Sequence, residues 1–80
     1  RELMLIKVKT NSDQREEVKR IADIFRGQIV DVVRDAYTIQ LTGTSEKIDA
    51  FIKALPRDSI AEVARSGVLG LSRGEKALSI

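Results

Sequence analysis

Residues 28–43 constrain the fold more than any other stretch. Tyr37, Ile39 and Leu41 alternate with Thr38, Gln40 and Thr42. A period of two gives a strand one apolar and one polar face. Just before them, Ile29, Val30, Val32 and Val33 form a β-branched run, the composition that strands favour. Arg34-Asp35-Ala36 is a short polar break between the two runs, so the spacing predicts a hairpin that turns there. In the first of its strands Ile29/Val33 and Val30/Val32 fall on opposite faces, which makes that strand apolar on both sides.

One helical pattern flanks the hairpin on each side, and one strand pattern lies outside each helix. In the first strand, Glu2–Lys9, Met4, Ile6 and Val8 point one way and Leu3, Leu5, Lys7 and Lys9 the other. Asn11-Ser12-Asp13 supplies helix-starting residues, and Asp13 followed by Glu16 has capping-box spacing, with Asp in place of Ser or Thr. Val18, Ile21, Ala22 and Phe25 make one helical stripe, which Gly27 is placed to terminate. Thr44 or Ser45 caps a second helix, whose stripe is Ile48, Phe51, Ile52 and Leu55. Pro56 stops it, Arg57 and Asp58 make a loop, and Ile60–Arg65 is the fourth strand. The order β-α-β-β-α-β with one apolar stripe per helix predicts an α+β, ferredoxin-like sandwich. Such a sandwich has a four-stranded antiparallel sheet with two helices on one face. Residues 1–66 form this domain and 67–80 a glycine-rich tail.

Eighty residues fit one domain with a small core. Hydrophobic residues at 42% and charged residues at 32% place it among globular chains. No apolar run approaches a membrane span, and no signal-peptide pattern is present. The chain starts at Arg1 with Met4 already inside a strand, so we expect a piece of a longer protein. Fourteen basic against twelve acidic residues leave +2, interspersed rather than gathered into the basic face of a nucleic-acid module. RNA-recognition modules of this fold stack bases on sheet aromatics. Here the first strand has none and the third has Tyr37, which we expect in the core or at its rim.

His and Cys are absent. That removes the commonest general base and metal ligand, and with them zinc and thiol sites. The absence of Cys fits a reducing compartment. Asp31 and Asp35, or Asp13, Glu16, Glu17 and Asp23, could in principle pair as acid and base or hold magnesium. A solvated helix face and turn residues are the expected role. Gly70 and Gly74 lack the Lys-Ser/Thr of a P-loop, and 67–70 is not G-x-G-x-x-G. No catalytic, cofactor or metal residue is therefore assigned.

Two features ask for a partner. With helices on one side, the other side of an antiparallel sheet should be polar, yet Leu3 and Leu5 point there. Another copy, a missing N-terminal part or the tail could cover them. In the tail, Val68, Leu69 and Leu71 are poor residues to leave in water, and glycines make the segment costly to order alone. Arg65 and Arg73 flank it, each able to make a forked contact with a carboxylate. The candidate partner contacts are Leu3, Leu5, Arg65, Val68, Leu69, Leu71 and Arg73. For the tail, the partner is a neighbouring copy or another subunit; the alternative is packing across its own sheet edge.

Five blocks carry a family resemblance: Glu17-Val18-Lys19-Arg20; Ile24-Phe25-Arg26-Gly27-Gln28-Ile29-Val30-Asp31-Val32; Tyr37-Thr38-Ile39-Gln40-Leu41-Thr42-Gly43-Thr44-Ser45; Lys47-Ile48-Asp49-Ala50-Phe51; and Glu62-Val63-Ala64-Arg65-Ser66-Gly67 with Gly70-Leu71-Ser72-Arg73-Gly74. Together they resemble the C-terminal half of the small, regulatory subunit of acetohydroxyacid synthase (acetolactate synthase), over residues 2–76. The resemblance implies a non-catalytic domain. It also implies an N-terminal ACT domain, absent from this sequence, that binds a branched-chain amino acid, usually valine, at a dimer interface. The whole subunit would activate a catalytic large subunit and confer feedback inhibition on branched-chain amino acid synthesis. Thiamine diphosphate, magnesium and FAD would belong to that partner, with none in this chain. The implied partners are the large subunit and a second copy, with no nucleic acid and no membrane. The implied location is the cytoplasm, or a plastid or mitochondrial matrix in a eukaryote. The alternative is a stand-alone ACT-like domain that binds an amino acid or nucleotide.

Overall fold

The computed structural model describes residues 1–11 and 13–67. The elements are β1 (Glu2–Lys9), α1 (Arg15–Ile24), β2 (Gln28–Val33), β3 (Ala36–Gly43), α2 (Ser45–Ala54) and β4 (Ile60–Arg65). The strands form one sheet in the order β2-β3-β1-β4, antiparallel throughout. α1 packs on β2, α2 on β1 and β3, and the helices touch each other. The result is the ferredoxin-like α+β sandwich that the element order predicts.

The inward row of β1 explains why the sheet has two unlike faces. Met4, Ile6 and Val8 are fully buried, as are Ile39 opposite Ile6 and Leu41 opposite Met4. Val18, Ile21 and Ala22 from α1 and Ile48, Phe51 and Leu55 from α2 close over them, with Phe25, Ile29, Ile52 and Ile60 at the margin. Both helical stripes thus land where the 3.6-residue period puts them. Phe25 and Phe51 meet edge to face, ring centroids 5.3 Å apart at 73°, a favoured arrangement of aromatic quadrupoles. Burying one large apolar side chain contributes about 1.5–3 kcal/mol, so this row and the two stripes carry the fold. Tyr37 is also buried on this side, with the Arg15 guanidinium 5.6 Å from its ring centroid.

Four local expectations are corrected. Asp13 does not cap α1: Gln14 holds the cap position without a side-chain bond, and Asn11 Oδ1 accepts from Asp13 N and Gln14 N, both at 3.1 Å. Asn two or three residues ahead of the amides it serves is an Asx turn, which competes with a capping box. Gly27 does not take the left-handed position after α1. Arg26 does, at φ 63°, while the Gly27 amide returns to Ala22 O at 2.8 Å. Gly27 is needed for closeness instead: an added Cβ would lie 3.1 Å from Ile39 Cγ2. The hairpin turn is Arg34 and Asp35 without Ala36, which is buried in β3. The turn's carbonyls are taken up, since Arg15 Nη2 donates to Arg34 O and Thr10 N to Asp35 O at 2.7 Å. Finally, Val30 is the extra residue of a bulge between Ile29, opposite Ile39, and Asp31, opposite Thr38. One inserted residue exchanges the faces beyond it. Val32 therefore pairs with buried Tyr37 and Val33 with Ala36, so Ile29 and Val33 do not share a face.

α2 follows its sequence closely. Thr44 is the cap, its hydroxyl accepting from Lys47 N at 3.1 Å. Leu55, before Pro56, is already extended at φ −71°, ψ 155°, as a residue preceding proline prefers.

Candidate functional site

Among the described residues, one face of the sheet carries no helix. Residues directly opposite in an antiparallel pair share a face. On β1 and β3 this face carries Leu3 beside Thr42, Leu5 beside Gln40 and Lys7 beside Thr38. β4 adds Ala64 beside Leu5 and Glu62 beside Lys7, and Lys7 Nζ lies 3.9 Å from a Glu62 carboxylate oxygen. Leu5, Lys7, Thr38, Glu62 and Ala64 line a shallow depression of about 430 Å³. Leu5 is 41% exposed and Leu3 half-buried. The face is thus a short apolar strip in a polar field, with no aromatic side chain on its two central strands. All three aromatic residues of the chain lie in or against the core, so this face offers bases no stacking platform.

The sheet edges expose further apolar side chains, of which Val32 and Val63 lie on the helix side, opposite Tyr37 and Ile6. Val30, Val32 and Val33 on β2 and Val63 on β4 are exposed. β2 is the outer strand on its side, and its bulge interrupts the ladder that an edge would otherwise present.

At one end of the sheet a charged clasp ties β1, β4 and α2 together. Arg65 Nε donates to Glu2 Oε1 at 2.9 Å and Nη2 to Glu2 Oε2 at 2.7 Å. Its third nitrogen, Nη1, donates to Asp49 Oδ1 at 2.8 Å. Ser45 Oγ donates to Glu2 Oε2 at 2.7 Å. These hydrogen bonds, Arg65's first and Ser45's second, hold the Glu2 carboxyl down at about 2, from an ordinary value of 4.5. The same bond to Glu2, with a second to Asp49, pushes Arg65 further up. Ser66 closes the end, accepting from Leu3 N and donating its own amide to Leu3 O.

Of the sequence-derived contact residues, the structure brings Leu3 and Leu5 together on the open face. Arg65 lies on the other side, opposite Met4, and makes its forked contact with Glu2 of its own chain. Val68, Leu69, Leu71 and Arg73 lie outside the described residues. Sequence reasoning missed Glu2, Ser45 and Asp49. Glu2 had a signal: it continues the inward row Met4, Ile6, Val8 by one step, and a carboxylate there needs a cation. Among the described residues no three Asp or Glu side chains converge as a metal site would require. The two carboxylates of the clasp, Glu2 and Asp49, are both held by Arg65. This donor set does not fit a magnesium diphosphate.

Among the described residues no helix is long and apolar enough to cross a membrane. The family model described as the small subunit of acetolactate synthase matches residues 1–74. A relative from Salmonella typhimurium, the small subunit of acetolactate synthase isozyme 3, is 59% identical over 80 residues, 98% of this chain and 48% of that protein. The acetolactate synthase small subunit of Haemophilus influenzae is 56% identical over 77 residues, 95% of this chain and 47% of its own. The crystal structure of the small subunit from Thermotoga maritima superposes with a TM-score of 0.78 at 41% identity, covering 82% of this chain and 40% of that one. The chain therefore spans about half the length of the curated relatives that it matches. On this likeness of sequence and fold, the chain belongs to the acetolactate synthase small-subunit family.

Proposed function

We propose that this chain is the non-catalytic, C-terminal regulatory domain of such a small subunit and works through protein contacts. It helps to activate a thiamine-diphosphate-dependent catalytic subunit and supports feedback inhibition by a branched-chain amino acid such as valine. The match of the small-subunit family model over residues 1–74 carries the reading. The absence of His and Cys from the sequence agrees with it. Thiamine diphosphate, magnesium and FAD belong, in this reading, to the partner. Coupling then requires the effector to bind two states of the assembly with different affinity.

The open sheet face is the contact surface in this proposal, and a second copy of the chain is its occupant. Two-fold pairing is the common closed solution for such a surface. Sedimentation of the full chain at micromolar concentration should show more than monomer; a strict monomer would overturn the pairing.

Reconstitution tests the function. The complete subunit, and a version ending before residue 1 of this chain, are each mixed with the catalytic subunit, and acetolactate formation is measured with and without valine. Weakened activation or a lost valine response in the shortened version is expected. Full activation and an intact response without this half would overturn the reading.

A further inference from the structure

The end of the sheet away from the clasp holds a cleft of about 350 Å³, within the range of about 300–1,000 Å³ over which small-molecule sites fall. Three separate connections wall it: Lys9 and Thr10 where β1 ends, Asp35 in the hairpin turn, and Arg57 and Asp58 before β4. Backbone bonds fix these walls to one another. Thr10 N donates to Asp35 O at 2.7 Å, and Lys9 N donates to Ser59 O at 2.6 Å.

Two observations point to a ligand. Thr10 is 2% exposed, and its Oγ1 is the one buried side-chain polar atom among the described residues without a hydrogen-bond partner. Buried hydroxyls almost always have one. The same cleft is lined by two cations, Lys9 and Arg57, and two carboxylates, Asp35 and Asp58. None of the four is ion-paired with another described residue.

The signs decide the chemistry. A bare anion would meet Asp35 and Asp58, and a bare cation would meet Lys9 and Arg57. The start of α1 does not tip the balance toward an anion, because Asn11 Oδ1 already accepts from Asp13 N and Gln14 N. A molecule with both charges satisfies the cleft. We propose that it binds a small zwitterion, with the ligand's ammonium toward Asp35 and Asp58. The ligand's anionic group then lies toward Arg57 and Lys9 and takes the Thr10 hydroxyl as a donor. The site stands on this chain's own residues and does not depend on the regulatory reading.

The test is an amide-resolved NMR titration of the full chain with three probes: glycine, acetate and methylammonium. Saturable shifts at Thr10, Asn11 and Asp58 are expected with glycine, with half-saturation about fivefold or more below either singly charged probe. Thr10→Val and Arg57→Gln should each weaken the glycine response. Thr10→Val should leave the melting temperature unchanged or raise it, since the hydroxyl it removes has no partner among the described residues. Arg57→Gln lies in an exposed loop and keeps the test valid if the first variant unfolds. Absence of saturation with glycine, equal saturation with acetate or methylammonium alone, or an undiminished glycine response in both variants would each overturn the proposal.

Discussion

Glu2 and Thr10 stand at the two ends of one row. Positions 2, 4, 6, 8 and 10 of the chain all turn inward and all are buried, and the three in the middle are core hydrophobes. The end positions are polar, and each end meets its polar demand differently. Glu2 is satisfied inside the chain by Arg65 and Ser45, whereas Thr10 Oγ1 has no partner among the described residues. Because the folded carboxyl of Glu2 sits near 2 rather than 4.5, folding favours its ionised form. A depressed carboxylate contributes stability that is fully present above its unfolded value and is lost as pH falls through the folded one. Stability should therefore fall between pH about 4.5 and about 2, and Glu2→Gln should flatten that limb. Urea midpoints taken across this range check it; an equally steep limb in the variant would place the acid sensitivity elsewhere.

The helices and strands were legible because burial here follows simple periods. The row on β1, the alternation of 37–42 and the two stripes needed only the 2.0 and 3.6 repeats. What those repeats do not encode was not legible. The bulge at Val30 leaves a run of β-branched residues unchanged in composition while exchanging its faces. The start of α1 depended on which of several neighbouring polar side chains reached the free amides first, and Asn11 did so rather than Asp13. Leu3 and Leu5 were visible as site residues because they break the polar side of an alternating strand. The Glu2–Asp49–Arg65 clasp was not, because its members are up to 63 positions apart in the chain. These local assignments can be separated by experiment. Asn11→Ala should cost about 1 kcal/mol, the usual worth of a side chain that satisfies helix-start amides. Asp13→Ala should change stability by less than about 0.5 kcal/mol, as exposed substitutions do. Urea denaturation of both variants measures the difference, and the reverse order would restore Asp13 as the cap.

At the scale of the whole molecule, the proposed function rests on the asymmetry of the sandwich. One side of the sheet is closed by two helices, and the other carries Leu3, Leu5 and Ala64 among threonines, glutamine and the Lys7–Glu62 pair. The chain spans about half of its relatives' length, and in the proposed reading the open face meets a second copy of the chain. A charge placed at Leu5 would be tolerated by the isolated fold, since the position faces away from the core. In an interface it would be an unpaired charge, which is strongly unfavourable. The direct measurement is acetolactate formation by the catalytic subunit, reconstituted with the complete small subunit carrying Leu5→Asp, alongside the melting temperature of that subunit. Activation should fall by about 5–150-fold, the range that a coupling free energy of 1–3 kcal/mol spans, in a subunit that still melts cooperatively, any drop in melting temperature reflecting the lost pairing. Full activation and an intact valine response with Asp at position 5 would contradict the assignment of the open face as the contact surface.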